Sequence, residues 1–209
     1  MKQNNRPRVI IITGSIGTGK STAVNIIMEM GYKVLDSDKI VHDGYKLGRK
    51  MHYEVVDYFG DEIINCNGEI NRKKLGKIVF SNKSSLEKLN EIVHRFVVKE
   101  LILGIKKCNE KIIFLDIPLL LEEKDNLEKY GLIYDEIWLV YVNSDIQKER
   151  LRKRAISENK NPEDVLNIID KQISIEIKKT MVDEVIFNEG TIEELRKQIE
   201  ELLSKGQIS

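Results

Sequence analysis

Gly14-Ser15-Ile16-Gly17-Thr18-Gly19-Lys20-Ser21, followed by Thr22, fits the phosphate-binding pattern G-x-x-x-x-G-K-[ST]. The glycines let the backbone curl until successive N–H groups point at phosphate oxygens. Lys20 supplies a mobile cation for the β- and γ-phosphates of a nucleoside triphosphate, and the Ser21 hydroxyl can hold Mg²⁺. Further along, Asp36-Ser37-Asp38 sets two carboxylates side by side. One of them can orient an acceptor hydroxyl and take its proton. Either could instead cap the helix that follows, as could Ser37. Asp116 ends an apolar run, where a carboxylate can help hold a hydrated Mg²⁺. Arg150 and Arg154 stand four residues apart within a basic run. They can clamp phosphates or simply face solvent. Together these residues describe phosphoryl transfer from ATP, with Mg²⁺, to a small alcohol.

Such chemistry needs elements that hold the groups in place. Residues 9–12 are a β-branched run and read as a buried strand. Residues 23–30 read as a helix, with Gly31 where a helix-terminating glycine belongs. Residues 32–35 give a short strand ending at Asp36, and residues 112–116, 137–142 and 185–187 give three more. Alternating strands and helices predict an α/β fold, a parallel sheet flanked by helices. Residues 39–108 lack strong strand runs. Ser84 with Glu87 resembles a capping box there, and Leu89, Ile92, Phe96 and Leu101 recur at helical spacing as a core face. Between the last two strands a two-helix segment is expected. Its first helix is capped by Ser144 with Gln147, and its second starts at Asn161-Pro162. Thr191 with Glu194 opens a final amphipathic helix.

Composition narrows the classes. The 209 residues carry 34 Lys+Arg and 34 Asp+Glu, so no global basic field calls for nucleic acid or an anionic membrane. Cys66 and Cys108 are the only cysteines, without a zinc-type cluster or an implied disulfide. Residues 1–8 are polar with no apolar leader core, and no apolar run approaches the length of about 20 residues that spans a bilayer. A cytosolic chain acting on a small molecule is expected, as a monomer or small homo-oligomer. A GTPase would carry N-K-x-D, and Asn82-Lys83-Ser84-Ser85 lacks the Asp. A nucleoside-monophosphate or other small-molecule kinase, or a non-catalytic nucleotide-binding regulatory protein, are the alternatives.

Several segments together resemble the dephospho-coenzyme A kinase family over nearly the whole chain. That family's Thr-Gly-Gly-Ile-Gly-Ser-Gly-Lys-Ser-Thr loop differs from residues 13–22 only at Ser15 and Thr18. Its Val-Ile-Asp-Ala-Asp is similar to Val34-Leu35-Asp36-Ser37-Asp38, and its Asp-Ile-Pro-Leu-Leu-x-Glu is matched from Asp116 to Glu122, with Pro118 and Leu119 inside. Phe59-Gly60, Arg72 with Leu75, Gln147 with Arg150, Leu151 and Arg154, and then Gln172, Lys178, Asp183, Asn188 and Gly190 follow in the family's order. The resemblance implies ATP-dependent phosphorylation of the ribose 3′-hydroxyl of dephospho-CoA, the last step of coenzyme A synthesis. It implies a P-loop NTPase core at 1–38 and 109–209, a helical lid at about 144–181, and a helical CoA-binding insertion at 39–108. By the same likeness Asp38 is the base, and Lys20 and Arg150 act on the phosphates. Arg154, Asn188 and Gly190 join the loop in binding ATP, and Ser21 and Asp116 hold the metal. Asp36, His42, Arg72, His94, Pro118 and Leu119 bind the acceptor. The chain departs from the family at His42, which replaces an Arg, at Arg95, which follows His94 in place of Pro, at Leu47-Gly48, and at Ile168.

Overall fold

The computed structural model describes residues 6–205. The polar residues 1–5, part of the stretch read above as lacking a leader, lie outside it. Strand β1 (Arg8–Thr13) is apolar on both faces, and Val9, Ile10, Ile11 and Ile12 are fully buried. A strand with no polar face must be covered on both sides, the condition of a parallel sheet. β1 occupies the middle of a five-stranded sheet of order β2-β3-β1-β4-β5, with β2 (Lys33–Asp36), β3 (Ile112–Asp116), β4 (Glu136–Tyr141) and β5 (Glu184–Phe187). It pairs in parallel with β3, Ile12 opposite Asp116, and with β4, Thr13 opposite Leu139; β4 pairs in parallel with β5. The register matters for chemistry. It delivers the start of the glycine loop and the Asp116 carboxylate to the same end of adjacent strands, where α/β sheets bind ligands.

Two helices cover one face of this sheet. α1 (Lys20–Glu29) buries Ala23, Val24, Ile26 and Ile27, and α10 (Ile192–Lys205) buries Leu195, Ile199, Leu202 and Leu203. Between them and the strands lie Phe114 and Trp138, whose rings meet edge to face with centroids 5.5 Å apart. The polar end of Trp138 is satisfied by donating to Glu136 Oε2 at 2.9 Å. α1 stops where expected, Gly31 taking φ 88° just past its end. The capping box at Thr191 forms in full: its N–H donates to Glu194 Oε2 at 2.8 Å, and the Glu194 N–H donates to Thr191 Oγ1 at 3.2 Å.

The chain forms two compact units. Among the described residues, one contains 6–35, 108–124 and 133–205; the other contains 36–107 and 125–132. The second is helical: α2 (Ser37–Gly44), α3 (Lys50–Phe59), α4 (Arg72–Ser81) and α5 (Lys83–Lys106). Leu89, Ile92 and Phe96 of α5 join Met51, Val55 and Val79 in its core. The sequence pattern predicts that face correctly but not the start of the helix. Asn82, not Ser84, is the cap, its Oδ1 accepting the Ser85 N–H at 3.1 Å. Asn is at least as good a cap as Ser, and it stands one turn before Leu86, which packs against the same core. The second unit also takes in the end of α6 (Leu120–Lys129) and the residues after it, which sequence pattern assigns to the core. Within that unit Tyr130 lines a groove with Phe96, Lys99 and Leu103 of α5.

The segment between β4 and β5 is more broken than the two helices expected. It holds α7 (Ser144–Ser157), α8 (Pro162–Leu166), a single 3-10 turn at Ile169–Lys171 and α9 (Ile175–Lys179). Asn161 caps α8 with Pro162 in its first turn, as the sequence suggests. α7 is capped by Asn143, whose Oδ1 accepts the N–H groups of Asp145 and Ile146, not by Ser144 with Gln147. Gln147 is thereby free for another use.

Candidate active site

The glycine loop runs from the end of β1 into α1, so the first N–H groups of α1 have no partner inside the helix. Gly19 is the residue before the helix, at φ 81°. A side chain there would be strained by the backbone and would also collide with the Asn188 amide. Inside the loop the Ser15 C=O accepts from the Thr18 N–H at 3.3 Å and from Thr18 Oγ1 at 2.9 Å, which closes a tight turn. Thr18 and Ser15 are both buried, so the two positions that differ from the family pattern sit inside the loop's own packing.

Lys20, the first residue of α1, is ion-paired with Asp116 at the end of β3, and both side chains are about one-tenth exposed. The register of β1 against β3 makes this meeting possible. Ser21 follows on the exposed side of the first turn, and Thr22 is half-buried. The donor set of one hydroxyl and one carboxylate suits Mg²⁺, which keeps most of its water and takes further oxygens from phosphates. Immediately past Asp116, the Pro118 C=O accepts from Thr13 Oγ1 at 3.1 Å, which fixes the start of that loop, while Leu119 is exposed.

The loop is flanked by groups from α7 and from the residue after β5. Arg150 Nη2 donates to the Asn188 C=O at 2.9 Å, and Nη1 reaches the Thr18 C=O at 3.5 Å. Asn188 Nδ2 donates to that same Thr18 oxygen at 2.8 Å. Arg150 and Asn188 are thus brought together on the loop. Gly190 is exposed, where a side chain would collide with the Glu194 carboxylate that caps α10. Arg154 is not brought to the loop. It faces solvent, pairing with Glu158 at 2.7 Å. Lys160 and Arg154 together hold the Glu158 carboxyl down at about 2.

In the helical unit, Asp36 is the N-cap of α2, its Oδ1 accepting the Lys39 N–H at 2.9 Å. Asp38 lies exposed in the first turn of the same helix, and His42 lies one turn further. Arg72, at the start of α4, donates to His42 Nδ1 at 2.9 Å and lies over the Tyr45 ring, 5.1 Å from its centroid. Burial pushes the Tyr45 hydroxyl pKa up, against the opposing pull of the Arg72 charge. His94 is half-buried on α5, a helix that packs against α2.

The sequence names Gln147 and Gln172 through the family's order but assigns neither a place in the site, and the structure sets both behind the loop. Gln147 is buried and donates through Nε2 to the Ile16 C=O at 2.7 Å. The signal was available in its helical phase: Gln147, Leu151 and Ala155 are buried at four-residue spacing. A polar residue on an apolar stripe has a partner to find. Gln172 accepts the Ile16 N–H at 3.3 Å.

The likeness to known proteins agrees with this geometry. The sequence model of the dephospho-CoA kinase family matches residues 8–194. The dephospho-CoA kinase of Aquifex aeolicus is 40% identical over 191 residues, covering 91% of this chain and 93% of that one. The dephospho-CoA kinase of Staphylococcus aureus is 39% identical over 202 residues, covering 95% and 93%. A solved structure from Thermus thermophilus superposes with a TM-score of 0.77 at 27% identity, over 96% of this chain and 98% of that one. A match of this extent, together with a P-loop whose lysine meets Asp116, leaves one assignment: the chain belongs to the dephospho-CoA kinase family and is a phosphotransferase of the P-loop type.

Proposed function

We propose that the protein transfers the γ-phosphoryl group of ATP to the ribose 3′-hydroxyl of dephospho-CoA, giving coenzyme A and ADP. The observation that carries this reading is the Lys20–Asp116 pair at one end of two neighbouring strands, in a chain of this family. Lys20 binds the β- and γ-phosphates and neutralises charge as the phosphoryl group departs. Arg150 turns from its two carbonyl partners to the phosphates. Its planar fork can hold two oxygens at once, which a lysine cannot. Residues 14–22 with Asn188 and Gly190 bind the nucleotide, while Arg154, paired with Glu158 in solvent, is left without a part in it.

Asp38 accepts the proton of the acceptor hydroxyl as its oxygen bonds to the γ-phosphorus. The bond from that phosphorus to the β–γ bridging oxygen breaks, and ADP leaves. Ser21 and Asp116 would hold Mg²⁺, which would screen the charge on the phosphate oxygens. Residues 39–108 bind the acceptor, with Asp36, His42, Arg72 and His94 among its contacts and Pro118 and Leu119 from the core. Arg72 presents a cation already oriented by His42 and Tyr45, which suits the diphosphate of dephospho-CoA. Cytoplasmic location fits such a substrate, and no helix among the described residues is long and apolar enough to cross a membrane.

The assignment of the base is tested by comparing Asp38→Asn with Asp36→Asn. Asp38→Asn is expected to keep ATP affinity and lower kcat about 10²–10⁴-fold, the usual contribution of a positioned base. Asp36→Asn keeps the cap and is expected to affect turnover far less. The reverse ranking would move the role of base to Asp36.

A further inference from the structure

Ile16, at the tip of the P-loop, has both of its backbone groups engaged by side chains, the C=O by Gln147 and the N–H by Gln172. Its own side chain packs against Leu151, Ala155 and Val165. α7 comes so close that a side chain on Gly17 would meet Leu151 Cγ at 2.9 Å. Gln147 is held by its helix. Gln172 is not, because it follows the 3-10 turn in an extended conformation, φ −104° and ψ 156°. A glutamine there needs an anchor, and the next residue supplies one. The Ile173 N–H donates to Glu122 Oε1 at 3.1 Å.

That same oxygen lies 2.7 Å from Lys178 Nζ, and Lys178 is completely buried. The contact is a charge pair, not an aligned hydrogen bond, and Glu122 Oε2 is buried without a partner. Burying one charge completely and its partner in large part, with hydrogen-bonding capacity unused, is a costly way to stabilise a fold. Apolar residues of similar volume usually do as well or better. Stability therefore does not explain the pair, whereas its location behind Gln172 does.

We propose that Glu122 and Lys178 are positioning residues for ATP. Through Ile173 they seat Gln172 on the Ile16 N–H. With Gln147, this fixes the tip of the loop so that the N–H groups following it stay aimed at the triphosphate. Neither residue touches the nucleotide. The inference rests on the reading of residues 14–21 as the ATP site. Donors held in place before the ligand arrives need no reorganisation when it binds, which is what gives them their strength.

The test uses the full-length protein and four variants: Glu122→Leu/Lys178→Met, Glu122→Gln/Lys178→Met, Gln172→Ala, and Gln172→Ala combined with the first pair. Both charges are removed together because a single change would strand the other in the interior. Tm, Kd for a non-hydrolysable ATP analogue, and KM for ATP and for dephospho-CoA are measured. Glu122→Leu/Lys178→Met is expected to hold or raise Tm. It should weaken ATP roughly three- to tenfold, the worth of one hydrogen bond, with the acceptor KM unchanged. Gln172→Ala should give the same loss, and the combined variant no more than either alone. Glu122→Gln/Lys178→Met keeps an oxygen for the Ile173 N–H and should restore ATP affinity. A merely structural pair would lower Tm and the active fraction while leaving Kd and both KM values unchanged, and that result overturns the proposal. So would additive losses in the combined variant, or a Gln172→Ala protein that binds ATP normally, which is decisive even if the pair variants do not fold. Failure of the unaltered protein to bind ATP would instead refute the P-loop reading itself.

Discussion

Lys20 and Asp116 show how much of the chemistry rests on single side chains. The two meet through a charge pair that a bound nucleotide would have to rearrange, and the proposed mechanism asks Lys20 for most of its effect in the reaction itself. Lys20→Ala is expected to fold with a lowered Tm, because the enclosed Asp116 carboxylate loses its cation, and to lose on the order of 3–4 kcal/mol of transition-state stabilisation, seen as a fall in kcat of about 10²–10³-fold. Near-normal turnover in a folded variant would contradict the site. Asp36 separates a structural from a chemical role. As the α2 cap it should tolerate Asn, whereas Asp36→Ala should cost about 1 kcal/mol, read as a lower Tm. Of the residues singled out in the sequence, the loop, Lys20, Asp116, Arg150 and Asn188 gather around one another, because each belongs to a motif with a known spacing. Gln147, Gln172, Glu122 and Lys178 also fall in the family's order, but a motif does not say what each side chain touches. Their partners stand far off in sequence and become visible only when the segment between β4 and β5 packs on the loop.

Among the elements, α7 decides how the basic run is used. A helix with Arg150 and Arg154 one turn apart suggests a two-residue clamp. The structure instead seats Arg150 on backbone oxygens and leaves Arg154 paired with Glu158 in solvent. The difference lies in distance along the axis: one further turn is about 5.4 Å, enough to carry the second guanidinium past the loop. At saturating ATP and acceptor, Arg150→Lys should slow turnover about tenfold or more, since it keeps charge and loses geometry. Arg154→Lys and Arg152→Lys should change it much less, and equal small effects at all three positions would assign the run to solvent. The Arg154–Glu158 pair also has a defined pH range. The folded-state Glu158 pKa of about 2 lies below its ordinary 4.5, so any stability it lends is complete above pH 4.5 and fades as pH falls toward 2. Helicity of the α7 end followed between pH 5 and 9 should therefore show no step from this group. The strands were legible because apolar runs have little alternative to burial. Two of the helix starts were misplaced, because Asn82 and Asn143 cap at least as well as the serines beside them.

For the whole molecule, the question is what the helical unit adds to a nucleotide-binding core. A P-loop sheet alone would serve many acceptors. Its partner unit has its own core and presents Asp38, His42 and Arg72 from α2 and α4. If this unit binds the acceptor, as proposed, binding energy from a long acceptor can be used in orienting the reacting ribose. Dephospho-CoA should therefore exceed AMP, CMP, UMP and adenosine in kcat/KM, and Arg72→Ala should raise the KM for dephospho-CoA while leaving that for ATP near its original value.

The most direct measurement is product analysis. Purified protein is incubated with Mg²⁺, ATP and dephospho-CoA, and the acceptor is then isolated for mass and NMR analysis. The account predicts one phosphoryl group gained on the ribose 3′-oxygen, one ADP formed for each, and no product from the Asp38→Asn protein on the same timescale. Phosphorylation of a nucleoside monophosphate in preference to dephospho-CoA, or ATP consumed with the acceptor unchanged, would contradict it.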